Sequence, residues 1–491
     1  MSQVSIIGSG FSGLASAAFA AKAGHKVSVY EQNHSIGGRA RSFSEAGFMF
    51  DMGPSWYWMP DVFDNFFAHF GKKTEDFYSL KKLDPGFQII YGKDDVLPIA
   101  ANIEELFQTF ENIEKGSAAK LKTFLKDAEF KYNVGMQQLV YTPSFSIMEF
   151  VSPTMLKSIA QTQLFTSVSK YVRGSFKDHR LVSLLEFPVL FLGAMPHKIP
   201  ALYTLMNYAA LIQGTFYPMG GMKKIIEGMA DLCTELGVDI HTNTKIEKIE
   251  INQKKVVGMR TSKGAITTDA IIASADYHHV EQELLEPAYR NYNEDYWDKK
   301  TFAPSCLIYY IGVNKKIGKL LHHNLYFDTD FNRHSEEIYK KPKWPTDPLF
   351  YVCCPSKTDD SVAPEGMENL FILVPVATGL EDNEEHRKHY FEKVIRRIES
   401  HSGEKILEHI IYNKSYCVND FVKDYNAYKG NAYGLANTLR QTAILKPSLK
   451  NKQIPNLFYT GQLTVPGPGV PPSLISGQIA AEQINLYLKN H

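Results

Sequence analysis

An α/β fold with an added helical layer is predicted by three observations. Residues 3–31 alternate strand, helix and strand patterns around a glycine-rich turn. Strand-rich stretches return near residues 239–276 and 457–461, far down the chain. Between the first two blocks runs a long region of helical periodicity, from Asn102 to about Asn207. The chain of 491 residues is long enough for two or three units with substantial cores.

Composition excludes several function classes. Hydrophobic residues make up 44%, an ordinary globular share, so a disordered chain is excluded. Lys plus Arg equals Asp plus Glu, 53 each, which gives no electrostatic footprint for nucleic acid. Five cysteines, odd in number and without metal-ligand spacing, point to a reduced, cytoplasmic setting. Met1 leads straight into VSIIGSG, so no signal peptide is expected. Ile199–Met222 is uncharged and long enough for a bilayer, but Asn207, Gln213, Pro218 and paired glycines interrupt it. A buried or surface-dipping element is expected there rather than a span.

The first element pair carries the strongest signal. SIIG reads as a β-branched strand, and Gly8, Gly10 and Gly13 form G-x-G-x-x-G ahead of a helix of small residues. Gly8 permits the tight turn, Gly10 lets backbone approach a pyrophosphate, and Gly13 allows helix–strand contact. The helix N-terminus offers free N–H groups to phosphates. Glu31 ends the second strand, KVSVYE, where it accepts from a ribose hydroxyl and repels a 2′-phosphate. A Rossmann-type dinucleotide site is therefore predicted.

The residues that follow narrow the cofactor. QNHSIGGRARSF holds a second glycine pair, Gly37 and Gly38, and then Arg39, which meets the charged middle of the dinucleotide. This arrangement resembles the glutathione-reductase-like FAD proteins of the amine oxidase and phytoene desaturase type, and it implies FAD. Downstream lies GFMFDMGPSWYWMPDVF, in which Asp51 is the sole charge between Glu45 and Asp61. In flavoproteins of this type the loop lies near the flavin, so Trp56, Tyr57 and Trp58 are expected to wall an apolar substrate.

The chain then divides into blocks. An FAD-binding domain is expected from residues 1–80, 215–290 and 441–491, a mainly helical, partly membrane-facing region from 81–214, and an α+β substrate region from 291–440. DIHTNTKIEKIEI reads as one strand followed by two more in a meander, with the backbone near Ile246 meeting the adenine as in FAD proteins of this type. His322 and His323 lack a third ligand at metal spacing, so no metal is expected. His197, Arg173, Arg180 and Asp178 lie near the apolar insertion, but none stands out as a base.

Several blocks together resemble the bacterial-type, FAD-dependent phytoene desaturases over essentially the whole chain: IIGSGFSGLASA, VYEQNHSIGGRARSF, FDMGPSWYWMPDVF, YPMGGM, PSKTDDSVAPEG, YNAYKGNAYGL and FYTGQLTVPGPGVPPSLISG. The resemblance implies successive hydride and proton removals from 15-cis-phytoene to lycopene, or an intermediate such as neurosporene. The polyene would be drawn from a membrane by a peripherally attached enzyme, with oxygen or a quinone as electron acceptor. Alternatives on the same fold are a desaturase of a hydroxylated carotenoid, an amine or protoporphyrinogen oxidase, and a prenyl-binding chaperone of the GDP-dissociation-inhibitor type.

The last of these blocks sits in a charge-free run, Gln453–Ala481. Gly461 lets the chain pass close to the flavin, and Pro471 and Pro472 suit a helix start. Amides near Ser473 and Leu474 are expected to aim the positive helix end at the flavin ring. Leu463, Val465 and Val470 complete the expected substrate wall.

Overall fold

The computed structural model describes residues 1–150 and 161–490. Its first layer is a five-stranded parallel sheet in the order Leu457–Tyr459, Ala270–Ala273, Gln3–Ile7, Lys26–Tyr30, Asp239–His241. Strands buried on both faces explain the apolar run AIIA and the run VSII, in which the one polar residue, Ser5, is small and fully buried. The helix Phe11–Lys22 packs against the helices Lys223–Glu235 and Val470–Lys489. Small residues set how close they come: a Cβ added at Gly477 would lie 2.3 Å from the Ser12 carbonyl oxygen. Ser16 Oγ donates to the Gly477 carbonyl at 2.9 Å across this contact.

A three-stranded antiparallel sheet, Ile246–Asn252, Lys255–Thr261 and Gly264–Thr267, packs with the parallel sheet around Ile7, Tyr30, Met259 and Ile271. The stretch read from sequence as a single strand is therefore divided, and a second stretch divides with it. DIHTNTKIEKIEI gives Asp239–His241 to one sheet and Ile246–Asn252 to the other, and the AITTDAIIA stretch breaks in the same way at Thr268 and Asp269. Thr268 Oγ1 accounts for the second break, because it bonds the Gln3 and Ala270 carbonyls and turns the chain between sheets.

The other large layer is a seven-stranded sheet, ordered Ile410–Tyr416, Ser305–Val313, Glu368–Val376, Phe350–Cys353, His323–Tyr326, Phe87–Ile90, Val96–Ile99. Alternation sorts its faces. Leu307, Tyr309, Ile311 and Val313 pack with Val394 and Ile398 of the helix Glu384–Ser402, whereas Cys306, Ile308 and Tyr310 join the main core. The last two strands fall inside the region read as mainly helical, 81–214. FQII and VLPI form an antiparallel hairpin around YGKDD, so helices begin only at Ile103.

The helical region holds Ile103–Ile113, Ser117–Val134, Val168–Ser175 and His179–Glu186, and residues 151–160 of it lie outside the described residues. Asn102, Ser167 and Asp178 cap three of these helices by accepting first-turn N–H groups. Within Ile199–Met222 a helical run covers residues 201–213, its pitch changing from 3-10 to α to π, and the strand Phe216–Pro218 follows, with Asn207 Nδ2 donating to the Leu185 carbonyl at 3.1 Å. Among the described residues no helix is long and apolar enough to cross a membrane.

Candidate functional site

One cavity of about 470 Å³ runs between the two large layers, a size within the roughly 300–1,000 Å³ of small-molecule sites. Its first part is a glycine cradle. The Gly8 N–H donates to the Tyr30 carbonyl at 2.8 Å, and φ of +97° at Gly8 makes the tight turn that glycine alone adopts without strain. A Cβ at Gly13 would lie 2.0 Å from the Gly8 carbonyl oxygen, so helix and strand meet through this residue, which does not line the cavity. Gly10 and Gly38 face each other across the floor, where a Cβ on Gly38 would stand 3.2 Å from Gly10 Cα. A Cβ on Gly10, which lines the cavity, would meet no protein atom nearer than 4.0 Å.

Charged groups border the cradle. Glu31 is buried, and its Oε2 accepts from the Ser9 hydroxyl at 2.7 Å and the Ser9 N–H at 3.1 Å. Its Oε1 accepts from the Asn33 N–H and Asn33 Nδ2, both at 2.9 Å, so the carboxylate is held in place at the cavity edge. Arg39 donates from Nη2 to the Asn431 carbonyl at 3.2 Å and lies 5.0 Å from the Tyr425 ring centre, while its Nε is buried without a partner. Burial lowers the Arg39 pKa, and Asp276, also in the lining, opposes that shift. Asp276 was not singled out from sequence. It follows the strand Ala270–Ala273 and caps a short turn, Oδ1 accepting from the His279 N–H at 3.3 Å. An unanswered guanidinium N–H beside an open glycine floor, with a carboxylate placed for a ribose, fits a dinucleotide diphosphate.

Ile246, Gly461, Pro472, Ser473, Leu463 and Val470 all line the same cavity. The helix starts at Val470 after Gly469, but the Ser473 N–H already donates to the Gly469 carbonyl at 3.0 Å. Of the amides near Ser473 and Leu474 that were expected to face the flavin, that of Ser473 is therefore already used within the helix, although the residue lines the cavity. Pro471 and Pro472 have no N–H to offer, so in this first turn the amide left to meet a ligand is that of Val470. Val465 does not line the cavity. The turn closed by Thr464 N–H on the Gly461 carbonyl, 3.0 Å, leaves Leu463 on the cavity and sends Val465 into the main core.

The rest of the lining is largely aromatic and aliphatic, including Trp56, Trp58, Phe187, Phe191, Leu325 and Phe327. Trp58 Nε1 donates to Thr215 Oγ1 at 2.9 Å, which satisfies the one polar atom of its ring. Tyr57 does not line the cavity and is fully buried, stacked 4.6 Å from the Phe63 ring with its hydroxyl 3.0 Å from that of Tyr78. Extended backbone, bridged to Phe216, explains the division, because alternate side chains point to opposite sides. Phe187 and Phe191 share this wall at helical spacing, a signal present in EFPVLFLG.

Of the polar groups weighed as bases, His197, Arg173, Arg180 and Asp178 are all absent from the lining. Arg173 forks onto Glu186 at 2.9 and 3.0 Å, and Asp178 caps a helix and pairs with Arg180. His322 and His323 are buried, and donor atoms of both and of Cys353 lie within 4.8 Å of one another. Strand register brings the cysteine there by setting His323 opposite Cys353.

A family model described as flavin containing amine oxidoreductase matches residues 11–485. The carotenoid 3,4-desaturase of Haloarcula japonica is 41% identical over 483 residues, 98% of this chain and 97% of that protein. The zeta-carotene-forming phytoene desaturase of Myxococcus xanthus is 29% identical, over 98% of this chain and 93% of its own. Among solved structures, an oxidoreductase from Methanosarcina mazei superposes with a TM-score of 0.64 at 17% identity, covering 98% of this chain and all of the other, which shows a shared fold.

Proposed function

Because the chain belongs to the flavin-containing amine oxidoreductase family, we propose that it is a carotenoid desaturase, removing hydrogen from a C40 polyene in successive steps. FAD is the cofactor, and when bound it supplies the two-electron acceptor that each step requires. The observation that carries the substrate class is the single cavity that joins the Glu31–Arg39 cradle to the wall of Trp56, Trp58, Phe187 and Phe191. Gly10 and Gly38 admit the diphosphate, Arg39 neutralises it, and Glu31 accepts from the ribose. Ile246 borders the adenine end. The aromatic wall excludes water and holds a hydrocarbon by area alone, at about 25 cal/mol per Å².

An amine substrate is disfavoured by the acids in the lining. Glu31 is held by Ser9 and Asn33, Asp424 pairs with Arg41 at 2.6 Å, and Asp276 stands beside Arg39, which leaves no lining carboxylate on the aromatic wall for an ammonium group. The finer choice is between two carotenoid reactions. The 41% identity to a carotenoid 3,4-desaturase favours a later carotenoid over the conversion of 15-cis-phytoene to lycopene, for which the similarity of 29% to a phytoene desaturase speaks. Contact with a membrane surface, from which a polyene is drawn, is supported by exposed Ile147, Met148 and Phe165 in the stretches flanking residues 151–160. Oxygen or a quinone would take the electrons onward.

The test is incubation of the purified flavoprotein with liposomes carrying either phytoene or a later C40 carotene, under oxygen or with a quinone. A lengthened chromophore with one of the two identifies the reaction. No change in either polyene, with any acceptor, would refute the proposal.

A further inference from the structure

The desaturation proposed above releases a proton into a cavity whose hydrocarbon wall offers little to receive it. His334, in the lining, is spent on backbone: Nδ1 accepts the Leu349 N–H at 3.0 Å and Nε2 faces the Pro375 carbonyl at 3.1 Å. Glu31, Asp276, Asp424 and His279 stand with the dinucleotide cradle and the Arg39–Arg41 side. Tyr339, Tyr433 and Cys306 line the cavity as well, and Tyr351 is set apart from them by a histidine nitrogen on its hydroxyl. Tyr351 lies beside Ser55 and Trp56 in the lining, and its hydroxyl is 3.0 Å from Ser55 Oγ and 2.6 Å from His323 Nδ1.

The strand pairing creates this contact. His323, Leu325, Tyr351 and Cys353 share one face of the sheet, with His323 opposite Cys353 and Leu325 opposite Tyr351, so Tyr351 and His323 are diagonal neighbours. His323 is fully buried, lies flat on Trp56 with ring centres 4.1 Å apart at 11°, and keeps Nε2 without a protein partner. Beyond it the His322 ring centre is 4.4 Å away. His322 Nε2 is also buried without a partner, while its Nδ1 is 2.7 Å from Thr358 Oγ1, on a half-buried residue of the loop that follows the strand Phe350–Cys353. The two open Nε2 atoms are not bonded to each other, but ring nitrogens of the two histidines come within 4.8 Å, a gap that one water or a small ring movement bridges between the cavity-facing phenol and that loop.

We propose that Tyr351 and His323 form the acid–base pair that takes up the proton released in each desaturation, with His322 and Thr358 as its way out, an inference that rests on the desaturase reading. One hydrogen leaves the substrate with its electron pair, for which the flavin is the acceptor, so the polyene is oxidised by two electrons. The neighbouring C–H bond breaks to leave its electrons as the new carbon–carbon π bond. Its proton goes to the Tyr351 oxygen while the phenol proton passes to Nδ1 of His323. Tyr351 is thereby neutral throughout, and the imidazolium releases the proton on Nε2 toward His322, which restores the neutral ring of His323. A carbon beside an electron-deficient centre is a strong acid, so a weak neutral base suffices. Burial together with His322 holds the His323 pKa well below its ordinary value, which keeps the ring neutral at rest and quick to pass the proton on.

The experiment is single-turnover mixing of the carotene-loaded holoenzyme, following flavin bleaching and polyene absorbance in the same trace, for wild type, Tyr351→Phe and His323→Phe. His323→Phe keeps a flat ring over Trp56 and removes only the nitrogens. Flavin content and melting temperature confirm that each variant is folded, and should Tyr351→Phe lose its flavin, His323→Phe decides alone. In wild type the two signals are expected to coincide. In the variants polyene formation is expected to lag flavin bleaching by about tenfold or more, within the usual reach of acid–base catalysis. Equal slowing of both signals would reduce these residues to packing and overturn the relay, as would unchanged traces. A wild-type enzyme that bleaches with no carotene would instead overturn the desaturase reading, and the relay with it.

Discussion

Asp51 receives the Met222 N–H on one carboxylate oxygen at 2.8 Å, and the neighbouring N–H of Lys223 on the other at 3.2 Å. The lone charge of an aromatic segment thus anchors the first turn of the helix Lys223–Glu235, from outside that helix. Burial pushes its pKa from an ordinary 3.8 up to about 6 despite these bonds. An acid raised on folding stabilises the fold in its protonated form: the contribution is complete below pH 3.8 and is lost as pH rises through about 6. The difference corresponds to about 3 kcal/mol at most. Denaturant unfolding at pH 4, 5, 6 and 7 is expected to show wild type losing stability relative to Asp51→Asn across that interval. Parallel curves would contradict it. Asp51→Ala, which strands two buried N–H groups, is expected to lose about 1–3 kcal/mol at pH 7.

Gly10 and Gly13 are three residues apart and should fail differently. A methyl at Gly13 collides with the Gly8 carbonyl oxygen at 2.0 Å, whereas one at Gly10 meets nothing nearer than 4.0 Å and Gly10 has φ of −73°. Gly13→Ala is expected to lower the melting temperature of the apoprotein and abolish flavin retention together. Gly10→Ala should leave the apoprotein within about 0.5 kcal/mol of wild type and still purify with little flavin. Equal flavin content in Gly10→Ala and wild type would place the diphosphate elsewhere.

These two residues also show what sequence can carry. The positions of Gly8 in the turn, Gly13 at the helix–strand contact and Glu31 at the end of the second strand follow from spacing, because strand, turn, helix and strand are local and each tolerates few residue types. The aromatic segment was legible in composition, and period-two alternation would have separated Tyr57 from Trp56 and Trp58. The hairpin Phe87–Ile90 and Val96–Ile99 was hidden by its place at the edge of a sheet whose other strands lie more than two hundred residues on. Tyr351 and His323 meet only through strand register, a pairing that no local pattern states.

Neighbouring Trp56 and Tyr57 give a further contrast. Tyr57→Phe leaves the buried Tyr78 hydroxyl without its 3.0 Å partner and is expected to cost about 1 kcal/mol of stability, with carotene affinity unchanged. Trp56→Ala strips an indole from the cavity wall and is expected to weaken carotene binding by about tenfold or more at constant flavin content. Denaturant titration and quenching of protein fluorescence by the carotene measure the two effects. A loss of affinity in Tyr57→Phe as large as that in Trp56→Ala would put both rings on the wall.

Ser473 tests the helix end. Its N–H is spent on the Gly469 carbonyl, so it reaches a ligand only through its side chain and through the field of the first turn. An aspartate there opposes the positive helix end, while asparagine has nearly the same shape and no charge. Ser473→Asp is expected to shift the flavin midpoint potential to a more negative value and to slow flavin reduction by about tenfold, equivalent to about 1.4 kcal/mol. Ser473→Asn should stay near wild type on both measures. Spectroelectrochemistry and stopped-flow reduction would show this. Matching potentials in the two variants would mean that the Val470 end of the helix does not act on the ring through its charge, and that its part is to shape the cavity.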